Sequence, residues 1–135
     1  MILHAGDFIE LSVYELVCSL GPPVAAVRGN VDSAELQARL PLSRVVRAGP
    51  ARFAMIHDAG PSAGRLARMQ ARFPEVNVVV FGHSHLPLVE WSSEGAFAIF
   101  NPGSPTERRR APSHTMGEAV VDDDGRVALS LIELD

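Results

Sequence analysis

The sequence contains no lysine and only one cysteine, one tryptophan and one tyrosine among its 135 residues. All twelve basic residues are arginines, which we interpret as a compositional bias rather than a sign of function. Because Cys18 is alone, no disulfide can form within the chain, and a buried apolar cysteine is expected. No apolar run approaches the length of about 18 residues that a transmembrane helix needs, and no basic segment precedes a long apolar stretch at the start. We therefore expect a cytoplasmic protein.

The composition that remains is that of an ordinary folded domain. Apolar residues make up 47% and charged residues 21% of the chain, which argues against wholesale disorder. The length of 135 residues suits one domain, because two cores of half this size would each be too small. The net charge of -4 does not favour general binding to a nucleic acid backbone.

Local patterns predict three helices. Ser12 and Glu15 have the spacing of a capping box, which predicts a helix that begins at about Val13 and stops at Gly21. Asp32 is a possible cap of a second, shorter helix. Residues 62–73 show the helical period of apolar residues, and the arginines on the opposite face are expected to be solvated: Arg65, Arg68 and Arg72.

Short apolar runs between turn-forming residues predict the strands. They lie at 1–3, 24–27, 45–48, 53–56, 76–81, 88–91, 96–100, 116–121 and 127–134. Helices and strands alternate in the first half of the chain, and strands dominate the second half. This order favours an α/β sandwich with a mixed sheet.

Side chains that bind metals recur directly after apolar strands. In α/β sheets, ligands gather beyond the carboxyl ends of the strands, so residues distant in sequence are expected to meet at one edge. Glycine precedes three of them and permits tight turns close to a ligand. The five candidate metal ligands are Asp7, Asn30, His57, His83 and His85.

Imidazole and carboxylate ligands without cysteine favour a divalent transition metal such as Mn, Fe, Zn or Co. Each candidate has an ordinary alternative when taken alone. The two histidines of the His83–His85 pair can be a chance pair on a loop, and Asp7 can be a turn former or a helix cap. Asn30 can be a left-handed turn residue, and His57 can be a core histidine. Only the joint pattern is specific.

Five motifs in a fixed order resemble those of the calcineurin-like metallophosphoesterase superfamily, and are closest to its small bacterial and archaeal phosphodiesterase branch. The resemblance covers nearly the whole chain, and the fourth and fifth motifs are the most specific. The motifs are His4-Ala5-Gly6-Asp7, Arg28-Gly29-Asn30-Val31-Asp32, His57-Asp58, Gly82-His83-Ser84-His85 and Asn101-Pro102-Gly103-Ser104.

The resemblance implies a four-layer αββα sandwich of two mixed β-sheets with a dinuclear metal site. Asp7 would bridge two divalent ions, manganese first, with Zn, Fe, Ni and Co as alternatives. Asn30, His57 and His83 would complete one metal position, and His85 would belong to the other. The ions would activate a water for in-line attack on a phosphoester, so no side chain is assigned a catalytic role of its own.

The sequence departs from the family pattern in three places. The family opens with a strand that ends in D-x-H, and this chain has no counterpart of that motif. We therefore expect an N-terminally truncated domain that binds one metal or none and that is unstable or forms homo-oligomers. Val31 stands where many family enzymes have a catalytic histidine, and Asp58 replaces a glycine after His57.

The family resemblance leaves two functions open. The first is a metal-dependent phosphodiesterase or phosphatase acting on a small phosphoester, with Ser104 and Arg108 near the phosphate, although the run Arg108–Arg110 also suits a solvated loop. The second is a non-catalytic protein-binding scaffold, because some members of this fold act as scaffolds. The retained ligand residues favour the enzyme. A histidine-triad hydrolase is disfavoured because Pro87 occupies the position of its third histidine.

Overall fold

Strands and helices alternate in the first part of the chain, and a run of strands follows. The computed structural model describes all residues from 1 to 135. In chain order the elements are β1 (Ile2–His4), α1 (Leu11–Cys18), β2 (Val24–Ala26), α2 (Ala34–Arg39), β3 (Ser43–Ala48), β4 (Ala51–Ile56), α3 (Arg65–Arg72), β5 (Val78–Phe81), β6 (Leu88–Trp91), β7 (Ala98–Asn101), β8 (Thr115–Val121) and β9 (Val127–Glu133).

A five-stranded mixed sheet lies at the centre, in the order β3-β4-β5-β7-β6. Strands β4, β5 and β7 are parallel, and the two edge strands are antiparallel to their neighbours. The continuous apolar sequence of β5 reflects burial on both faces, because all four of its residues are buried. Along β4, Phe53 and Met55 pack on one face of this sheet, whereas Ala54 and Ile56 pack on the other.

Two apolar cores lie on the two faces of the central sheet, and a third lies further out. One face is covered by the parallel pair β1-β2 and by the antiparallel hairpin β8-β9. The opposite face is covered by α3 through Leu66 and Met69. Helices α1 and α2 pack on the outer side of β2 through Tyr14 and Leu36. The αββα layer order is therefore confirmed, with one β layer built from two separate two-stranded sheets.

The outer surface retains unpaired backbone and exposed apolar groups. Strand β1 pairs only with β2, and the bond from Ile2 N to Pro23 O shows that Ile2 faces this partner. The N–H and C=O of Leu3 therefore lie on the other edge of β1, without a strand partner. Leu16 and Leu20 are each 63% exposed. None of the helices has the length and apolar character needed to cross a membrane.

The predicted helix caps are wrong, although the helices exist. Helix α1 begins at Leu11 with Glu10 at its N-cap, and Ser12 donates a hydrogen bond to the Glu10 carboxylate. Helix α2 is capped by Ser33, whose side chain accepts the N–H of Leu36. Packing of α1 against the outer core sets where it starts, which the local spacing of Ser12 and Glu15 does not reveal.

Two further interpretations of single residues are wrong. Cys18 is exposed rather than buried, because it lies at the end of α1, a helix with no fully buried residue. The arginine face of α3 is not simply solvated: Arg65 and Arg68 donate hydrogen bonds to carbonyl groups of the loop that precedes the helix.

Candidate metal centre

Four of the five predicted ligand side chains meet at one edge of the sandwich. Asp7 and Asn30 lie on the loops that follow β1 and β2, and His57 and His83 lie on the loops that follow β4 and β5. Because each strand pair is parallel, its two following loops emerge at the same end. The cluster therefore joins loops from two different sheets.

The donor atoms of this cluster lie close together. Asn30 Oδ1 is 2.8 Å from His57 Nε2 and 3.0 Å from His83 Nδ1. His57 Nε2 is also 3.2 Å from His83 Nδ1 and 3.3 Å from Asp7 Oδ2. Two ligands that sit about 2.1 Å from one cation are separated by about 3.0 to 3.4 Å in octahedral or tetrahedral geometry. Three of the four observed spacings fall in this range, and the distance of 2.8 Å between Asn30 Oδ1 and His57 Nε2 is slightly shorter.

The tautomer of His57 shows why this cluster suits a cation. Its Nδ1 lies 2.7 Å from the carbonyl of Ala5, which only accepts hydrogen bonds, so Nδ1 carries the hydrogen. In the neutral ring the Nε2 lone pair then faces Asn30 Oδ1 and Asp7 Oδ2, which are also acceptors. A cation among these atoms relieves their mutual repulsion.

The residue types of the cluster define what it can bind. No three His, Cys, Asp or Glu side chains of the protein are grouped so as to hold a metal ion by themselves. The amide oxygen of Asn30 is the atom that links the two imidazoles here. A set of two nitrogens, one carboxylate and one neutral oxygen fits Mn, Fe, Co or Zn.

Left-handed backbone conformations concentrate in these loops. Asp7 has a φ of 65°, His83 of 66° and His85 of 59°, values that non-glycine residues seldom adopt. Ile9, a β-branched residue, has a φ of 72°. Each such residue costs on the order of 1 to 3 kcal/mol, and such strain is typical of functional sites.

Two glycines allow the first two ligand loops to touch. A Cβ on Gly6 would lie 2.7 Å from the backbone nitrogen of Gly29. A Cβ on Gly29 would lie 2.0 Å from Asp7 Oδ1. The glycines of the first and second motifs are therefore required by close approach of the two loops, which also brings the N–H of Val31 to 3.2 Å from Asp7 Oδ1.

Asp32 joins the same two loops from beneath, a role that the sequence did not reveal. The residue is 5% exposed, and its Oδ2 accepts the N–H groups of Gly29 at 2.6 Å and Asp7 at 3.3 Å. Its Oδ1 accepts the N–H of Ile9 at 2.8 Å. Asp32 was predicted as a helix cap, because two of its three partners, Asp7 and Ile9, lie more than twenty residues away in the sequence and only the fold brings them together.

Asn101 has an equivalent role beneath the His83 loop and was also missed. It is fully buried, and its Nδ2 donates to Gly82 O at 3.0 Å and to Ser84 Oγ at 3.1 Å. Its Oδ1 accepts the N–H of Gly103 at 2.9 Å. The fifth motif therefore holds the fourth motif in place, and its position directly after a buried strand was the available sequence cue.

The remaining predicted site residues lie outside the four-residue cluster. His85 Nδ1 contacts the carbonyl of Glu107 instead. The Ser104 hydroxyl accepts backbone N–H groups of its own loop, and Arg108 donates to carbonyls at Ala111 and beyond. Arg109, which was not predicted, donates from Nη1 to the His83 carbonyl at 3.0 Å.

His4, in the first motif, is a partly buried neutral imidazole. Its ring stacks on Phe8 with centroids 3.6 Å apart, and its Nδ1 accepts the N–H of Gly6. Loss of hydration on burial lowers the pKa of His4 to about 4, although Asp32 and Asp7 act in the opposite direction. His4 therefore supports the Asp7 loop through packing rather than through charge.

A comparison with protein families identifies one domain in the sequence. The family described as the calcineurin-like phosphoesterase superfamily domain matches residues 1–124. No curated protein matches the chain. The match spans all the residues of the cluster.

Solved structures with the same fold include a Vps29 protein and a phosphodiesterase. Vps29 from Entamoeba histolytica, determined in complex with Zn²⁺, superposes with a TM-score of 0.73 at 20% identity, covering 98% of this chain and 81% of Vps29. A Thermotoga maritima protein gives 0.71 at 25% identity, covering 98% and 79%. An archaeal phosphodiesterase gives 0.70 at 19% identity, covering 96% and 81%. These likenesses support the α/β sandwich described above.

Proposed function

Since the chain belongs to the calcineurin-like phosphoesterase superfamily, we propose that it is a phosphoesterase that uses a divalent cation held by Asp7, Asn30, His57 and His83. The observation that carries this proposal is the convergence of acceptor atoms around His57 Nε2, 2.8 Å from Asn30 Oδ1 and 3.3 Å from Asp7 Oδ2. Manganese is the first candidate, and Zn, Fe, Ni and Co are the alternatives.

The cation would supply two things when bound, a positive charge against a phosphoryl oxygen and a lowered pKa for a water molecule. Other residues of the protein hold the proposed ligands in position for this cation. Ala5 O fixes the ring of His57 so that Nε2 faces the cluster. Asp32 and Asn101 hold the backbones of the Asp7 and His83 loops. The metal ligands are thus arranged before any substrate arrives.

We propose Arg109 rather than Arg108 as the arginine that contacts the phosphoryl group. Each guanidinium donates through Nη1 alone, but Arg108 donates to the carbonyls of Ala111 and Pro112 in its own loop, whereas Arg109 donates to the carbonyl of His83 and so lies beside the cluster. Its other nitrogens are available for a phosphate, which arginine binds through two parallel hydrogen bonds. The substrate is a small phosphodiester or phosphomonoester.

We also propose that the 135 residues form one metallophosphoesterase-like domain that lacks the family's D-x-H motif. His85 is the candidate for a second metal position, where it would share Asp7 with the first. Because His85 and Asp7 alone are few ligands, the four-residue cluster is expected to hold its ion more tightly.

Hydrolysis of bis-p-nitrophenyl phosphate by the metal-free chain, before and after addition of Mn²⁺, tests the proposal. We expect Mn²⁺-dependent release of nitrophenol that falls at least a hundredfold in His83→Ala. The matched control is His114→Ala, which removes a histidine bound only to Asp135. Equal rates for His83→Ala and the unmodified chain, or no Mn²⁺-dependent turnover, would contradict the enzymatic function.

A protein-binding scaffold is the second candidate. It is favoured by the likeness to Vps29 and by the exposed apolar side chains of α1, where Leu16 is 63% exposed. If the protein is a scaffold, its binding to a protein partner should survive in His83→Ala and be lost in Leu16→Glu. If it is an enzyme, turnover should be lost in His83→Ala and survive in Leu16→Glu.

A further inference from the structure

Two arginines of α3 hold the loop that joins β4 to α3, which we call the His57 loop (residues 57–64). Arg65 donates from Nε and Nη2 to the carbonyl of Gly60, at 3.1 and 2.8 Å. Arg68 donates to the carbonyls of Ala59, Pro61 and Ala63. Five hydrogen bonds therefore fold this loop back onto the helix that follows it, directly after His57.

Arg65 also contacts the strand that leads to the other histidine. Its guanidinium carbon lies 4.9 Å from the centroid of the Phe81 ring. Phe81 is 2% exposed and ends β5, one residue before the Gly82-His83 turn. One planar cation thus contacts the loop after His57 through hydrogen bonds and the segment before His83 through a cation–π contact.

We propose that Arg65 is a positioning residue that sets the separation of His57 and His83 and thereby the metal affinity of the cluster. This inference rests on the proposed function, because it assumes that the cluster binds a cation. The 3.2 Å between His57 Nε2 and His83 Nδ1 requires both backbones to be held. The bond from Gly82 N to His57 O, at 2.9 Å, joins them on one side, and Arg65 joins them on the other.

The neighbouring arginines of α3 provide matched comparisons. Arg68 binds the His57 loop but has no cation–π contact with Phe81, so its loss is expected to leave the His83 segment unchanged. Arg72 lies over the ring of Phe73 at the end of the helix and has no bond to the loop. Of these three side chains, Arg65 is the one that contacts both histidine-bearing segments.

Titration of the metal-free chain with Mn²⁺ tests this assignment. Arg65→Gln is expected to weaken Mn²⁺ binding by up to about tenfold, the lower end of the loss that follows removal of a group hydrogen-bonded directly to a metal ligand. Arg65→Lys, which keeps the charge but not the paired donors, is expected to restore the affinity in part. Arg72→Gln serves as the control and should bind as the unmodified chain does. Unchanged affinity in Arg65→Gln, or an equal loss in Arg72→Gln, would overturn the proposal.

A second measurement separates failure of this inference from failure of the proposed function. In ¹⁵N-labelled metal-free protein, Arg65→Gln should shift the ring resonances of both His57 and His83, and Arg72→Gln should shift neither. If the unmodified chain does not bind Mn²⁺, the proposed function fails, and these spectra still decide the role of Arg65. Unmoved ring resonances in the folded variant would refute it; should Arg65→Gln not fold, Arg65→Lys is compared in the same way.

Discussion

At the scale of single residues, Gly29 shows how little space separates the first two ligand loops. The φ of Gly29 is not in the left-handed region, so its backbone conformation alone would accept alanine. The obstacle is steric, because a Cβ at this position would lie 2.0 Å from Asp7 Oδ1. Gly29→Ala must therefore displace the Asp7 carboxylate. We expect Mn²⁺ affinity to fall at least tenfold and the free energy of unfolding to fall by about 1 to 3 kcal/mol, measured by titration and by urea denaturation.

Gly82 is the natural control for this substitution. It precedes His83 in the same cluster, and a Cβ there would meet Ala5 at an ordinary 3.4 Å. Gly82→Ala should therefore retain most of the Mn²⁺ affinity. Similar losses in the two variants would mean that contact with Asp7 is not the cause.

His4 makes the stability depend on pH. Burial lowers its pKa to about 4 in the folded protein, against 6.5 for an exposed histidine. Between these values the unfolded chain binds a proton that the folded chain does not, so stability falls as the pH decreases from about 6.5 to about 4. The contribution of His4 is fully present above pH 6.5, and about 3 kcal/mol of it is lost by pH 4.

His4→Asn keeps an acceptor for the N–H of Gly6 but has no proton to bind in this range. Urea denaturation at a series of pH values should therefore give a shallower decline for His4→Asn than for the unmodified chain. A decline of equal steepness in His4→Asn would show that other groups cause it.

At the scale of elements, the motifs at the ends of the strands are joined to one another by hydrogen bonds and are not independent loops. Asn101 ends β7 and holds the turn that follows β5 through its bonds to Gly82 and Ser84. Asn101→Ala would leave the partly buried Gly82 carbonyl and Gly103 N–H without these partners. We expect the unfolding free energy to fall by about 1 to 3 kcal/mol and Mn²⁺ affinity to fall with it.

Asn77 lies before β5, at the opposite end of the strand from the cluster, and accepts the N–H of Arg52 at 2.8 Å. Asn77→Ala should therefore lower stability without changing Mn²⁺ affinity. If Asn101→Ala and Asn77→Ala lower the Mn²⁺ affinity equally, the effect follows from a general loss of stability and not from the His83 turn.

The strands were predictable because burial on one or two faces leaves a direct mark on the sequence, as in the continuous apolar run of β5. Positions of Asp7, His57 and His83 followed from those strands. The helix starts were not predictable from Ser12 or Asp32, because packing and long-range bonds override local capping patterns. The same reason hides Arg65, since the helical period shows which face is polar but not that a loop folds back over it.

At the scale of the whole molecule, a bound cation should raise the stability of the folded state. At a Mn²⁺ concentration one hundred times the dissociation constant, the gain is about 2.7 kcal/mol, because only the folded chain assembles the four ligands. For a domain of this size, this corresponds to a rise in Tm on the order of 10 °C. Thermal denaturation followed by circular dichroism measures it.

Addition of EDTA should reverse the rise, and His83→Ala should show almost none. A Tm that does not respond to Mn²⁺, Zn²⁺, Fe²⁺, Ni²⁺ or Co²⁺ would contradict the metal site as a whole. A Tm that responds equally in His83→Ala would mean that the ion binds elsewhere.

Two of the four candidate ligands follow strands of one sheet and two follow strands of the other, and no ladder joins these sheets. An ion coordinated by all four side chains would link the two β layers. Shear between the layers, which sandwiches tolerate when only apolar side chains meet, would then break coordination. Ion release and separation of the layers would then be coupled, so a variant that loosens the contact between the two sheets should also release its ion faster.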